Sequence, residues 1–118
     1  MDYRKAIRPA DLARMEQNWI EQEPVKGTQK EKDFVPVVRL HIPGTDIQWL
    51  LTELNVADGM SFGLCQIHYA ELGYAWLPEI FDLDIEGLRV VQDNDFHATM
   101  TLNQYTEIAR NNGGFLTL

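Results

Sequence analysis

The chain has a single cysteine, Cys65, no run of about 18 apolar residues, and no lysine after Lys32. Each shortage excludes something. A lone cysteine makes neither an internal disulfide nor a zinc site of its own. Without a long apolar run there is no sequence for a membrane-spanning helix. Met1-Asp2-Tyr3-Arg4-Lys5 leads into no apolar segment of the kind a secretory leader needs, so a cytoplasmic location is expected. His41, His68 and His97 stand far apart, and no H-x-x-x-H or C-x-x-C spacing occurs. Nucleophile-elbow, Walker and dinucleotide fingerprints are missing too. Neither a cofactor nor a bound metal is expected, and no catalytic residue can be named.

What is present is the composition of an ordinary globular chain. Its 118 residues are 45% hydrophobic and 24% charged, which at roughly 150 residues per domain argues for one domain over 1–118. The net charge of -8 is unevenly spread. Residues 1–33 carry seven basic and seven acidic side chains and are neutral. Residues 34–118 hold only Arg39, Arg89 and Arg110 against eleven acids, so this body owns the whole excess. Such a surface repels phosphates, and direct nucleic-acid binding is not expected. It steers instead toward a basic protein partner, or simply keeps the protein in solution.

Hydrophobic periodicity predicts an α+β fold. A helix is expected from Pro9 to about Gln22, with Pro9 in the first turn and Leu12, Met15 and Trp19 on one stripe. Pro24 and Gly27 end it, and 27–33 reads as a polar, mobile connector. From Phe34 the period changes to two: Phe34, Pro36, Val38, Leu40 and Ile42 fall on one side and Arg39 and His41 on the other, and Pro36 argues that this strand, or at least its start, lies at an edge. Further strands are expected at 47–54 (apolar on both sides, as for a covered central strand), 60–69, 72–76 and 88–92, with a helical turn at 77–81. Thr101-x-x-Gln104 resembles a capping box opening a last helix. Leu102, Tyr105, Ile108 and Ala109 would face the sheet, and Asn111-Asn112-Gly113-Gly114 would end the helix. The expected architecture is an antiparallel sheet of four or five strands with an N-terminal and a C-terminal helix.

Four short stretches carry a family resemblance: Trp49-Leu50-Leu51-Thr52-Glu53-Leu54, Phe62-Gly63-Leu64, Glu71-Leu72-Gly73-Tyr74 and Leu77-Pro78-Glu79-Ile80. This pattern resembles that of a family catalogued as domain of unknown function 2958. The sequence departs from it at Val91-Gln92-Asp93, where the family's strand is more strongly charged. The resemblance implies a compact α+β domain of bacterial, plasmid and phage proteins, and it implies no activity.

Two constellations merit inspection. Trp49, Glu53, Glu71, Gly73 and Tyr74 belong to the family pattern without an assigned role, and simple alternation puts Trp49, Leu51 and Glu53 on one side of their strand. A carboxylate beside aromatic rings could bind a ligand or do acid–base work; the plainer expectation is that Trp49 and Tyr74 fill the core. The second is acidic. Asp82, Asp84 and Glu86 before Gly87, with Asp93 eleven residues after Asp82, imitate a calcium loop. The twelfth position is Asp rather than Glu, Arg89 lies inside, and a strand replaces the second helix, so a solvated acidic turn is expected. Glu79, Asp82, Asp84, Glu86, Asp93 and Asp95 then become a candidate acidic stripe for a partner.

Two functions compete on these grounds. One is a non-catalytic accessory protein whose acidic body docks on a basic protein, in its narrowest form a nucleic-acid-mimicking anti-defence factor (anti-restriction or anti-CRISPR type) of a mobile element. The other is a small-ligand-binding domain, or a minor enzyme, using Glu53 and Glu71 beside the aromatics. A third reading is a self-associating structural domain, with the Pro36-bearing strand or the exposed side of the sheet as its interface.

Overall fold

A computed structural model describes residues 2–118. A short helix, α1 (Tyr3–Ala6), precedes the longer α2 (Pro9–Gln22), which runs into a 3-10 turn at Glu23–Val25. Five strands follow: β1 (Val38–His41), β2 (Gln48–Asn55), β3 (Met60–Gln66), β4 (Ala70–Trp76) and the two-residue β5 (Val91–Gln92). Helix α3 (Leu77–Ile80) stands between β4 and β5, and α4 (Leu102–Asn111) closes the fold. All pairings are antiparallel and the sheet order is β4-β3-β2-β1-β5. This is the expected α+β sheet with helices at both ends of the chain.

β2 is central because both of its faces are covered. One core joins Tyr3, Ile7 and Met15 to Leu40, Trp49, Leu51, Leu54, Leu77 and Phe81. A second, on the other face, joins Leu50 and Leu64 to Leu102, Tyr105 and Ala109 of α4. Two adjacent residues, Trp49 and Leu50, thus enter different cores, which is what the near-continuous apolar run of β2 encodes. α4 begins with the expected capping box: Thr101 accepts from Gln104 N–H, and the Gln104 side chain accepts from Thr101 N–H at 2.8 Å. Thr106 rather than Ile108 completes its buried face. Its hydroxyl donates to the Leu102 carbonyl at 2.9 Å, which satisfies it inside the core, whereas Ile108 stays exposed.

Buried glutamines tie down the irregular segments. Gln66 accepts from Leu116 N–H, and both Gln48 and Gln66 donate to the Leu116 carbonyl, fixing residues beyond α4 against β2 and β3. Gln22, at the end of α2, exchanges two bonds with the Lys32 backbone and so anchors the connector. Gln92 of β5 accepts from Arg8 N–H and donates to Asp11.

Pro36 lies ahead of β1; the strand as a whole is not the sheet edge, because β5 pairs with Leu40 and His41, but its start at Val38 lies outside that pairing. The strand expected at 88–92 shrinks to Val91–Gln92, because Ile85-Glu86-Gly87-Leu88 folds into a tight turn closed by reciprocal Ile85 and Leu88 backbone bonds. Glu86 takes φ 53° and Gly87 φ 86°, the left-handed pair such a turn needs.

Candidate functional site

The site arises from one extra residue in β2. Leu51 pairs with Gly63 and Glu53 with Phe62, so Thr52 is the unopposed residue of a β-bulge. Alternation changes phase there. Leu51 and Leu54, three residues apart, lie in the same core, and Glu53 is moved to the opposite face from Trp49. The expected grouping of Trp49, Leu51 and Glu53 is therefore broken by the bulge. In its place a row runs straight across three strands: Glu53 opposite Phe62, and Phe62 opposite Tyr74.

β1 stops pairing at Leu51, and the Thr52 carbonyl instead accepts from the buried Asn18 side chain of α2 at 2.9 Å. That contact carries the end of α2 to the row. Trp19 meets Tyr74 edge-on with centroids 6.3 Å apart, and Tyr74 meets Phe62 edge-on at 5.2 Å. Lys26, just after the 3-10 turn, places its ammonium 3.2 Å from the Phe62 centroid and 3.7 Å from Glu53 Oε1. Trp19, Gln22, Glu23, Lys26, Glu53 and Tyr74 line a cavity of about 80 Å³.

Glu53 is the most deeply buried carboxylate here, with its side chain 4% exposed. The Thr52 hydroxyl donates to Oε2 at 2.5 Å. Burial pushes its carboxyl above the usual carboxylate range, opposed by the Thr52 hydrogen bond and the Lys26 charge. A raised acid pKa makes the folded state bind its proton more tightly than the unfolded one. The Glu53 contribution to stability is thus full below the unfolded pKa, near 4.5, and is lost as pH rises through the folded value. The expected result is a Glu53→Gln variant whose stability relative to wild type improves with pH above that point. Urea denaturation of both proteins across pH 4–8 checks it; a difference that moves the other way refutes the assignment.

Glu71 does not join this site. It pairs with Cys65 on the face opposite the Glu53 row and is exposed. Tyr74, on the edge strand β4, is 57% exposed, so of the two aromatics expected in the core only Trp49 fills it. Cys65 is half-buried, with its thiol pushed up to about 11 by burial and by the nearby Glu71 charge. Trp19 and Lys26 join the site from outside the expected constellation. The one sequence signal pointing to it is the polar pair Thr52-Glu53 inside an otherwise apolar strand.

The acidic residues lie elsewhere. Glu79 is on α3, while Asp82, Asp84 and Glu86 surround the tight turn. Asp95 follows β5, and all five are exposed. Asp93 is partly buried and paired with Arg39 at 2.8 Å. Asp84 accepts from Gly87 N–H across the turn, so its carboxylate braces the loop. Among the described residues no group of three or more His, Cys, Asp or Glu side chains is placed to hold a metal ion. Nor, among them, is any helix long and apolar enough to cross a membrane.

No curated protein and no solved structure matches the chain. One family profile does, over residues 7–116, a span that contains every residue of the Glu53 row and of the acidic segment. The chain therefore belongs to the family described as "Protein of unknown function (DUF2958)".

Proposed function

We propose that this is a non-catalytic binding protein whose acidic body docks on a basic protein partner. One observation carries the reading: each of the body's three arginines meets an acceptor of the body itself, Arg110 only loosely at the surface, while most of its acids make no ion pair among the described residues. Arg39 is held by Asp93 and Gln48, Arg89 donates to the Phe81 carbonyl, and Arg110 lies 3.9 Å from Glu107. Glu79, Asp84, Glu86 and Asp95 are exposed and make no ion pair among the described residues. Their field points outward uncompensated and sums over the surface, favouring a positively charged partner and disfavouring phosphate. A protein that mimics nucleic acid to occupy a defence enzyme's binding groove is the narrowest form of this proposal.

The test is a salt series of association rates against a basic partner captured at low salt. Wild type is compared with a variant carrying amides at Glu79, Asp84, Glu86 and Asp95. Each exposed acid alone is worth about 0–1 kcal/mol. Together they should slow association several-fold and flatten its salt dependence, with folding intact. Equal slopes for the two proteins would leave the charge with solubility alone. The second reading, ligand binding at Glu53, is favoured by the buried carboxylate beside the aromatic row, and it proceeds without Glu71.

A further inference from the structure

The ammonium of Lys26 is held in surroundings that suit a cation without N–H groups better than they suit lysine. A primary ammonium carries three donors. Here the nitrogen is buried, and among the described residues no protein acceptor lies within 3.5 Å of it. Glu53 Oε1 at 3.7 Å and Glu31 Oε2 at 3.9 Å neutralise it from beyond hydrogen-bond reach. What touches it closely is aromatic: the Phe62 ring at 3.2 Å, with Tyr74 at 5.6 Å. Tyr74 stands edge-on to both Phe62 and Trp19, so three rings present successive, mutually inclined walls. For lysine, donors that no protein atom accepts must be met by water or carry a desolvation cost. A trimethylated nitrogen has no donors to leave unmet, keeps its charge, and gains contact area against the rings. Rings backed by a carboxylate are the recognition chemistry of quaternary ammonium groups. The cavity of about 80 Å³ beside Lys26 provides room beyond the ammonium itself.

We propose that Trp19, Phe62, Tyr74 and Glu53 form a cage for a methylated ammonium group, and that Lys26 is its resident stand-in, displaced when ligand binds. Displacement needs only rotation of a four-carbon stem. Lys26 precedes Gly27 in an exposed stretch of the connector, and Gln22 anchors that connector independently through Lys32. The cage does not depend on the acidic-surface reading. A methyl-lysine side chain on a basic protein would use both features, whereas a free quaternary amine such as choline would use the cage alone.

The experiment titrates full-length protein, wild type and Lys26→Ala, with choline, with an N-acetyl trimethyl-lysine amide, with the unmethylated lysine amide, and with neutral 3,3-dimethylbutanol. Binding is read from the Trp19, Phe62 and Tyr74 ring signals by NMR. Saturable binding of the methylated probes is expected, about tenfold tighter in Lys26→Ala because the competing side chain is gone. It should be lost in Tyr74→Ala and weakened in Glu53→Gln. The lysine amide and dimethylbutanol should bind at least tenfold more weakly. Preference for the trimethyl-lysine amide over choline points to a protein-borne ligand, the reverse to a small one; either supports the cage. Absence of saturable binding to a folded Lys26→Ala protein overturns the proposal. So does equal binding of the neutral isostere, or tighter binding of the unmethylated lysine. If Lys26→Ala fails to fold, the wild-type titration decides alone: ring shifts with choline but not dimethylbutanol support the cage, and none with either refutes it.

Discussion

Truncating Trp49 to alanine is expected to cost about 3–5 kcal/mol of stability, while the same truncation of Tyr74 should cost under about 1 kcal/mol. The two residues belong to the same family pattern and to neighbouring regions of one sheet, so the contrast tests the assignment of core and surface directly. Trp49 is 2% exposed and packs among Leu40, Leu51, Leu54, Ile80 and Phe81, where removal of an indole leaves a hole that rigid strand neighbours cannot fill. Tyr74 is 57% exposed on the edge strand and touches Phe62 and Trp19 only edge-on. Urea denaturation of both variants, compared at equal slope, measures the difference. A loss above about 2 kcal/mol for Tyr74→Ala would place that ring in the structural core and remove it from any binding role.

The difference between these two aromatics marks where sequence patterning succeeds and where it stops. Two apolar faces on β2 announce a covered central strand, and the capping box at Thr101 announces α4; both depend on local spacing, which a sequence displays. Tyr74 reads as core because aromatic residues on strands usually are. Its exposure follows from β4 being the sheet edge, a fact of strand order rather than of local pattern. Ile108 is misplaced for a related reason: a threonine that bonds to its own helix backbone can be buried where the apolar count predicts isoleucine. The site is hidden by the bulge. Strict alternation places Glu53 beside Trp49, and only the unopposed Thr52 turns it toward Phe62. The wrapping of Lys26 back onto that row depends on Asn18 reaching the Thr52 carbonyl and on Gln22 holding the connector, long-range contacts that no periodicity encodes.

Gly63→Ala is expected to destabilise the protein by about 3 kcal/mol or more, and Gly73→Ala to change it by under about 0.5 kcal/mol. Both glycines lie in strands and face each other across the β3–β4 ladder. Around Gly73 an added Cβ would meet nothing within 4 Å. At Gly63 it would collide with the Leu50 carbonyl oxygen and stand 2.8 Å from Leu51 Cα. Those atoms are backbone of the strand entering the bulge, so no side-chain rotation relieves the overlap. The bulge brings β2 so close to β3 that only a residue without a Cβ fits opposite Leu51. Relief would require β2 to withdraw or to lose the extra residue from its pairing. Losing it would return Glu53 to the Trp49 face, burying a carboxylate among apolar side chains at a further cost. Stability and site are therefore coupled at this position. Denaturation of the two alanine variants tests the stability, and the Phe62 and Tyr74 ring signals report whether the Glu53 row survives. A Gly63→Ala protein as stable as wild type, with those signals unmoved, would show that the close approach of β2 and β3 at the bulge is absent and that Glu53 reaches the aromatic row by another route.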